Sequence, residues 1–261
     1  VKLPRFLRRA PPLVVSEERG VRYLHVGGEA IQSAMRLEDP YALELDYTRC
    51  MMAFLLFHPE PRRALMIGLG GGSLAKFFHR ELPGLRTHAV EYDERVIAAA
   101  RSLFHVPADD ARLRVEHGDG VAALAPECCD LLVVDGFEDE STPSALVSQE
   151  FFDAAWCALR EPGILAMNFM DDDREFDRRL ERVERAFGGR VLAFHALRDP
   201  NIVVLALKGG PAEIEWRALR ERARALERRY RLPFPRMVER LRTMNRWNAR
   251  ALLVGAADGA A

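Results

Sequence analysis

Seven short apolar segments recur between residues 63 and 207, with helix-forming stretches between them, and no other feature limits the fold as strongly. Strands are expected at 63–68 (RALMIG), 86–91 (RTHAVE), 112–116 (RLRVE), 129–135 (CDLLVVD), 163–169 (GILAMNF), 190–195 and 201–207. Helices are expected at about 73–82, 93–103, 119–124, 148–160 and 171–187. Strands that are apolar along their whole length are buried on both faces, as happens when helices cover each side of a mostly parallel sheet. The expected fold is therefore α/β: a Rossmann-like, doubly wound, mostly parallel seven-stranded sheet. Such sheets bind ligands beyond the carboxyl ends of their strands.

The flanks read differently. Residues 1–42 alternate in strand fashion, broken by the turn signals ERG and VGGE, and are expected to form a small N-terminal β domain. A connecting helix follows over 43–60; its pattern begins at Asp39 and Pro40, repeats through Leu43, Tyr47, Met51 and Phe54, and closes at HPEPRR. The sheet domain then occupies 61–208, and 209–261 form a C-terminal helical extension. In that extension Trp216, Leu219, Ala223, Leu226 and Tyr230 share one face. Its many arginines interleave with Glu213, Glu215, Glu221, Glu227 and Glu239, which describes a solvated, salt-bridged face and not an RNA-binding one.

A net charge of −1 argues against bulk attraction to nucleic acid or to a membrane surface. The longest apolar run, MMAFLLF, is too short to span a bilayer, and no signal peptide is read, so a cytoplasmic location is expected. The four cysteines, Cys50, Cys128, Cys129 and Cys157, form no CxxC pair and have no histidine cluster beside them, so no metal site is expected.

Chemistry concentrates at four strand ends. After the first strand comes Gly68-Leu69-Gly70-Gly71-Gly72-Ser73, opening a helix; glycines there let a ligand approach backbone amides at a helix N-terminus. Glu91 ends the second strand, where a carboxylate suits a ribose diol or caps the next helix. Asp119, in HGDG, is placed either to accept from an exocyclic adenine amine or to cap the following helix. Asp135 ends a strand so apolar that its carboxylate is desolvated and needs partners, which marks a functional position or a structural acid bonded to loop amides. A nicotinamide enzyme has no use for Asp119 and Asp135 in this order, whereas a nucleoside bearing a sulfonium centre fits acids beside a charged sulfur and an amine.

With these residues in place, the sequence resembles the spermidine synthase (polyamine aminopropyltransferase) family, built on the class I S-adenosylmethionine-dependent methyltransferase fold. The likeness runs from about residue 21 to 207. GGEAIQS is similar to the family's DGxxQ segment, which implies that Gln32 contacts the nucleoside donor. LELDYTRCM resembles DEFxYHEM and puts Tyr47 in the substrate site. GLGGGS stands where the family writes GGGDGG, so Gly68, Gly70 and Gly72 line the donor. AVEYD resembles VEID and assigns Glu91 to the ribose; HGDG assigns Asp119 and Gly120 to the adenine. The stretch VVDGFEDESTPSALVSQEFF follows VDSSDP…LFTxEFY, implying that Asp135 activates the attacking amine and that Glu138 binds substrate. Asp139 and Glu140 read as an exposed acidic loop.

Three departures stand out. Gly71 replaces the family's loop acid, implied to hold the aminopropyl ammonium; Thr48 and Arg49 replace the His and Glu of YHEM. Arg49 either faces a substrate carboxylate or pairs with a surface acid. The resemblance implies aminopropyl transfer to a small-molecule amine such as putrescine, no tightly bound cofactor, decarboxylated S-adenosylmethionine or S-adenosylmethionine as co-substrate, and a possible homodimer through the N-terminal β unit. Methyl transfer to a small molecule, or nucleoside binding without catalysis, stand as alternatives.

Overall fold

The computed structural model describes residues 12–28, 30–136 and 143–255. Strands β1 (Leu13–Glu18), β2 (Val21–Val26) and β3 (Ser33–Arg36) form an antiparallel sheet. Its first hairpin turns on Arg19 and Gly20, both at positive φ, the geometry that matches the strands' own twist. The connecting helix is shorter than its sequence pattern: α1 covers Asp46–Met51 and tightens into a 3₁₀ turn over Met52–Leu56. Asp39 does not start it, because its carboxylate is bound by Arg80, at 2.7 Å, and by the amide of Tyr41.

The central sheet contains β4 (Arg63–Ile67), β5 (Arg86–Glu91), β6 (Leu113–His117), β7 (Cys129–Val134), β8 (Leu159–Met170), β9 (Val191–His195) and β10 (Asn201–Lys208), in the order β6-β5-β4-β7-β8-β10-β9. Strands β4 to β8 pair in parallel, and β10 runs antiparallel to both its neighbours. Alternate residues face opposite cores: Ala64, Met66, Leu131 and Val133 on one side, Leu65, Ile67, Leu132 and Val134 on the other. Helices α2 (Ser73–Glu81), α3 (Glu94–Ser102), α4 (Gln149–Ala158) and α5 (Phe176–Ala186) cover these faces. The expected helix at 119–124 is only a turn. Pro126 bars Ala125 from helical geometry, leaving too few residues for a helix.

The C-terminal extension is not purely helical. A two-stranded ribbon, β11 (Glu213–Glu215) with β12 (Ala251–Leu253), brackets α6 (Trp216–Tyr230) and α7 (Phe234–Met244). The apolar face read from the sequence is buried in full and joins the core beside α2, where Phe77 and Tyr230 lie 6.2 Å apart between ring centroids. Among the described residues no helix is long and apolar enough to cross a membrane.

The chain runs outward from β4 through β5 to β6, then crosses back to β7 on the far side of β4. The carboxyl ends of β4 and β7 therefore flank the crevice where such sheets hold ligands.

Candidate active site

Asp135 sits at that crevice. Its amide donates to the Ile67 carbonyl at 3.0 Å, continuing the ladder one residue beyond β7. Gly68, across from it, has φ +94°, and a side chain there would collide with the Asp135 carbonyl. Only glycine allows the two strand ends to close this tightly.

The Asp135 carboxylate is gripped from two sides. Tyr47 Oη donates to Oδ2 at 3.2 Å, and Asn168 Nδ2 donates to Oδ1 at 3.0 Å. Asn201 Nδ2 donates in turn to Asn168 Oδ1 at 3.0 Å, so two buried amides on neighbouring strands stand behind the acid. Tyr47 is fixed by a reciprocal clasp between α1 and the β9–β10 loop. The Tyr47 amide donates to Asp199 Oδ2 at 3.0 Å, and the Arg198 amide to Asp46 Oδ2 at 2.8 Å. A buried network with its members paired holds one geometry.

Desolvation pushes the Asp135 carboxyl up to about 6, against the lowering effect of Asn168 and Tyr47. Burial, together with the charges of Asp135 and Asp199, lifts the Tyr47 phenol well above its ordinary value. At neutral pH Tyr47 keeps its proton as a donor, and Asp135 is an ionised base strong enough to take a proton when one is offered.

The side expected to take the nucleoside pairs carboxylates with backbone amides. Glu91 Oε2 accepts from the Leu69 amide at 2.9 Å and Oε1 from the Asp93 amide at 3.0 Å, so this half-buried carboxylate ties the glycine loop to β5. Each oxygen retains a second acceptor site, enough for a diol. Asp119 is exposed; its Oδ1 caps the short turn by accepting from the Val121 amide at 2.8 Å. Gly120 packs against Ile67, leaving no space for a side chain. Gln32 reaches Tyr47, whose Oη lies 3.4 Å from the Gln32 carbonyl oxygen, while its own side chain donates to the Val26 carbonyl at 3.3 Å. Gly70 and Gly72 pack on Ser33 and Val106, with Gly72 as the left-handed cap that opens α2.

Two of the sequence departures gain a physical account. A Cβ on Gly71 would lie 2.9 Å from both Phe104 Cδ1 and Ser33 Cβ, so an acid cannot enter without moving its neighbours. The Gly71 amide instead donates to Ser33 Oγ at 2.8 Å. Buried Lys76 holds Phe104 in place, its Nζ donating to the Phe104 carbonyl at 2.7 Å, and burial drives its pKa down to about 7. Arg49 donates to the Leu43 carbonyl at 2.6 Å and lies 3.9 Å from Glu44, whose carboxylate Arg36 already holds at 2.7 Å, so Arg49 is tied to the approach to α1 with its charge only partly offset. Glu138, with Asp139 and Glu140, lies outside the described residues.

Sequence reasoning missed Asn168, Asn201, Asp199 and Ser33. An asparagine inside the apolar run GILAMNF was the available signal for Asn168, since a buried amide needs a partner.

The family model of the spermine/spermidine synthase domain matches residues 44–172. A polyamine aminopropyltransferase of Chromobacterium violaceum is 37% identical over 94% of this chain and 94% of its own length. The structure of a probable spermidine synthase from Corynebacterium glutamicum has the same fold, with a TM-score of 0.69 at 21% identity over 82% of this chain and 83% of that one. Human methyltransferase-like protein 13, solved in complex with SAH, aligns with a TM-score of 0.64 at 25% identity over 78% of this chain and 96% of that one.

Proposed function

The chain belongs to the spermine/spermidine synthase family and is an aminopropyltransferase, and from that premise we propose that it uses decarboxylated S-adenosylmethionine, passes the aminopropyl group to an amine such as putrescine, and relies on Asp135 as the proton acceptor. The observation that carries this reading is the Asp135 carboxylate, held by Tyr47 and Asn168 at the mouth of the β4–β7 crevice.

The acceptor arrives as an ammonium with a pKa near ~10.4 and is no nucleophile until it loses a proton. Asp135 takes that proton. The freed nitrogen lone pair attacks the methylene next to the sulfonium; the new C–N bond forms as the C–S bond breaks, and its electron pair returns to sulfur in methylthioadenosine. Tyr47 orients the carboxylate and the amine. Much of the acceleration comes from holding nitrogen, carbon and sulfur in line. On the donor side Glu91 accepts from the ribose hydroxyls, Asp119 Oδ2 from the adenine amine, and the glycine loop with Gly120 and Gln32 closes on the nucleoside.

Methyl transfer is not favoured. The relatives matched over nearly the whole chain are named aminopropyltransferases, and the guanidinium of Arg49, the group available to meet a methionine carboxylate, is turned onto the Leu43 carbonyl at 2.6 Å. The test is product analysis by mass spectrometry. The enzyme is offered decarboxylated and intact S-adenosylmethionine in turn, with a panel of di- and triamines. Aminopropylated amines from the decarboxylated donor alone are expected; a methylated product from the intact donor would overturn the reading.

A further inference from the structure

Helices α6 and α7 pack together and both line an open cavity of about 500 Å³. Four arginines line it: Arg220 and Arg224 from α6, Arg236 and Arg240 from α7. Both pairs sit at i,i+4 spacing, which places like charges side by side and destabilises each helix. Arg236 also lies in the first turn of α7, where a cation opposes the helix dipole and no acid compensates it.

The one acid in the wall does not cancel this charge. Glu239 is shared between Arg220, at 3.7 Å, and Arg242, at 3.9 Å. Among the described residues Arg224, Arg236 and Arg240 have no ion-pair partner. Local positive charge of this density is unusual in a chain whose net charge is −1. The rest of the wall is apolar, formed by Leu197 and Pro235. Four arginines lining one partly apolar cleft suit oxyanions, since each guanidinium fork offers two parallel donors. The volume lies in the range of small-molecule sites.

We propose that this cavity is an anion site for a small molecule carrying two or more linked phosphates, separate from the crevice at Asp135. The recognised chemistry is the phosphate chain, whether free or attached to a nucleoside. The bound chain bridges the arginines of α6 and α7 and relieves their mutual repulsion.

The test is calorimetric titration of the full chain with tripolyphosphate, then with ATP, at about physiological salt so that loose surface attraction is screened. Saturable one-site binding of tripolyphosphate is expected, and Arg224→Gln combined with Arg236→Gln should weaken it by roughly tenfold or more. Glu239→Gln should tighten it, because the substitution removes the only negative charge that the described residues place in the wall and frees Arg220. The double variant should melt no lower than the parent and keep its aminopropyl transfer rate, which separates lost binding from lost folding. ATP binding that weakens in the same double variant would extend the site to nucleotides. Heats that never saturate, or binding indifferent to both variants, would overturn the proposal. So would a single-stranded RNA that binds this face while tripolyphosphate does not.

Discussion

The two halves of the crevice are finished to different degrees. On the reaction side, a half-buried Asp135 and the buried Tyr47, Asn168 and Asn201 form a chain in which each side chain already has a protein partner. On the side proposed for the nucleoside, Glu91 and Asp119 each hold backbone amides and keep further acceptor capacity. The contrast teaches a division of labour. On the proposed assignment, the group that moves a proton is preorganised before any substrate arrives, at a cost in desolvation, whereas the groups that would grip the donor are cheap to keep solvated and would complete their bonding on the ligand.

If that division holds, the largest effect falls on the reaction side. Asp135→Asn should lower kcat by about 10²–10⁴, the usual contribution of a general base, while calorimetry shows nearly unchanged donor affinity. The same variant should be more stable at neutral pH. The folded carboxyl is raised from 3.8 to about 6, so the native state holds the extra proton between those values. Stability therefore falls as pH rises through that window, and the ionised acid costs up to about 3 kcal/mol above it. Thermal melts should show the asparagine variant gaining above pH 6 and not below pH 4. Equal melting shifts at both pH values would break the contrast.

A smaller effect is expected on the donor side. Glu91→Gln leaves one carbonyl oxygen where two carboxylate oxygens served, so donor KM should rise by roughly ten- to a hundredfold, with kcat changed less. Smaller again is Asn168→Ala, which strips Asp135 Oδ1 and the Asn201 amide of their partner. A loss of about 1–3 kcal/mol in denaturant titrations is expected. Because Asn168 lowers the Asp135 pKa, its removal should move the acidic limb of the rate profile to higher pH. The smallest effect belongs to Arg49→Ala: its pair with Glu44 is partly exposed, worth about 0.2–1 kcal/mol, and donor affinity should stay as it was. A large loss of donor affinity in that variant would return Arg49 to the substrate.

The same contrast governs what the sequence could reveal. Asp135 was visible because it ends an unbroken apolar strand, and the sheet itself was visible because its strands are apolar on both faces. The register between β8 and β10 was not visible, since pairing of distant strands leaves no local trace; Asn168 and Asn201 therefore looked like isolated polar residues. The helix expected from Asp39 shows a second limit, because Arg80 from a distant helix claims that carboxylate and tertiary contact overrides the local start signal. At 119–124 the expected helix is reduced to a turn, with Pro126 directly beyond it. Gly71 was recognisable as a departure, yet the ring of Phe104 and the side chain of Ser33 that crowd it come from distant segments and required three dimensions.

The central claim, that a desolvated Asp135 takes the proton from the attacking amine, is tested most directly by kcat/KM as a function of pH for the parent enzyme and for Asp135→Asn. The account predicts an acidic limb breaking at about 6 in the parent and missing from the variant's residual rate. A limb that survives the substitution unchanged, or a parent profile with no break in that region, would contradict it.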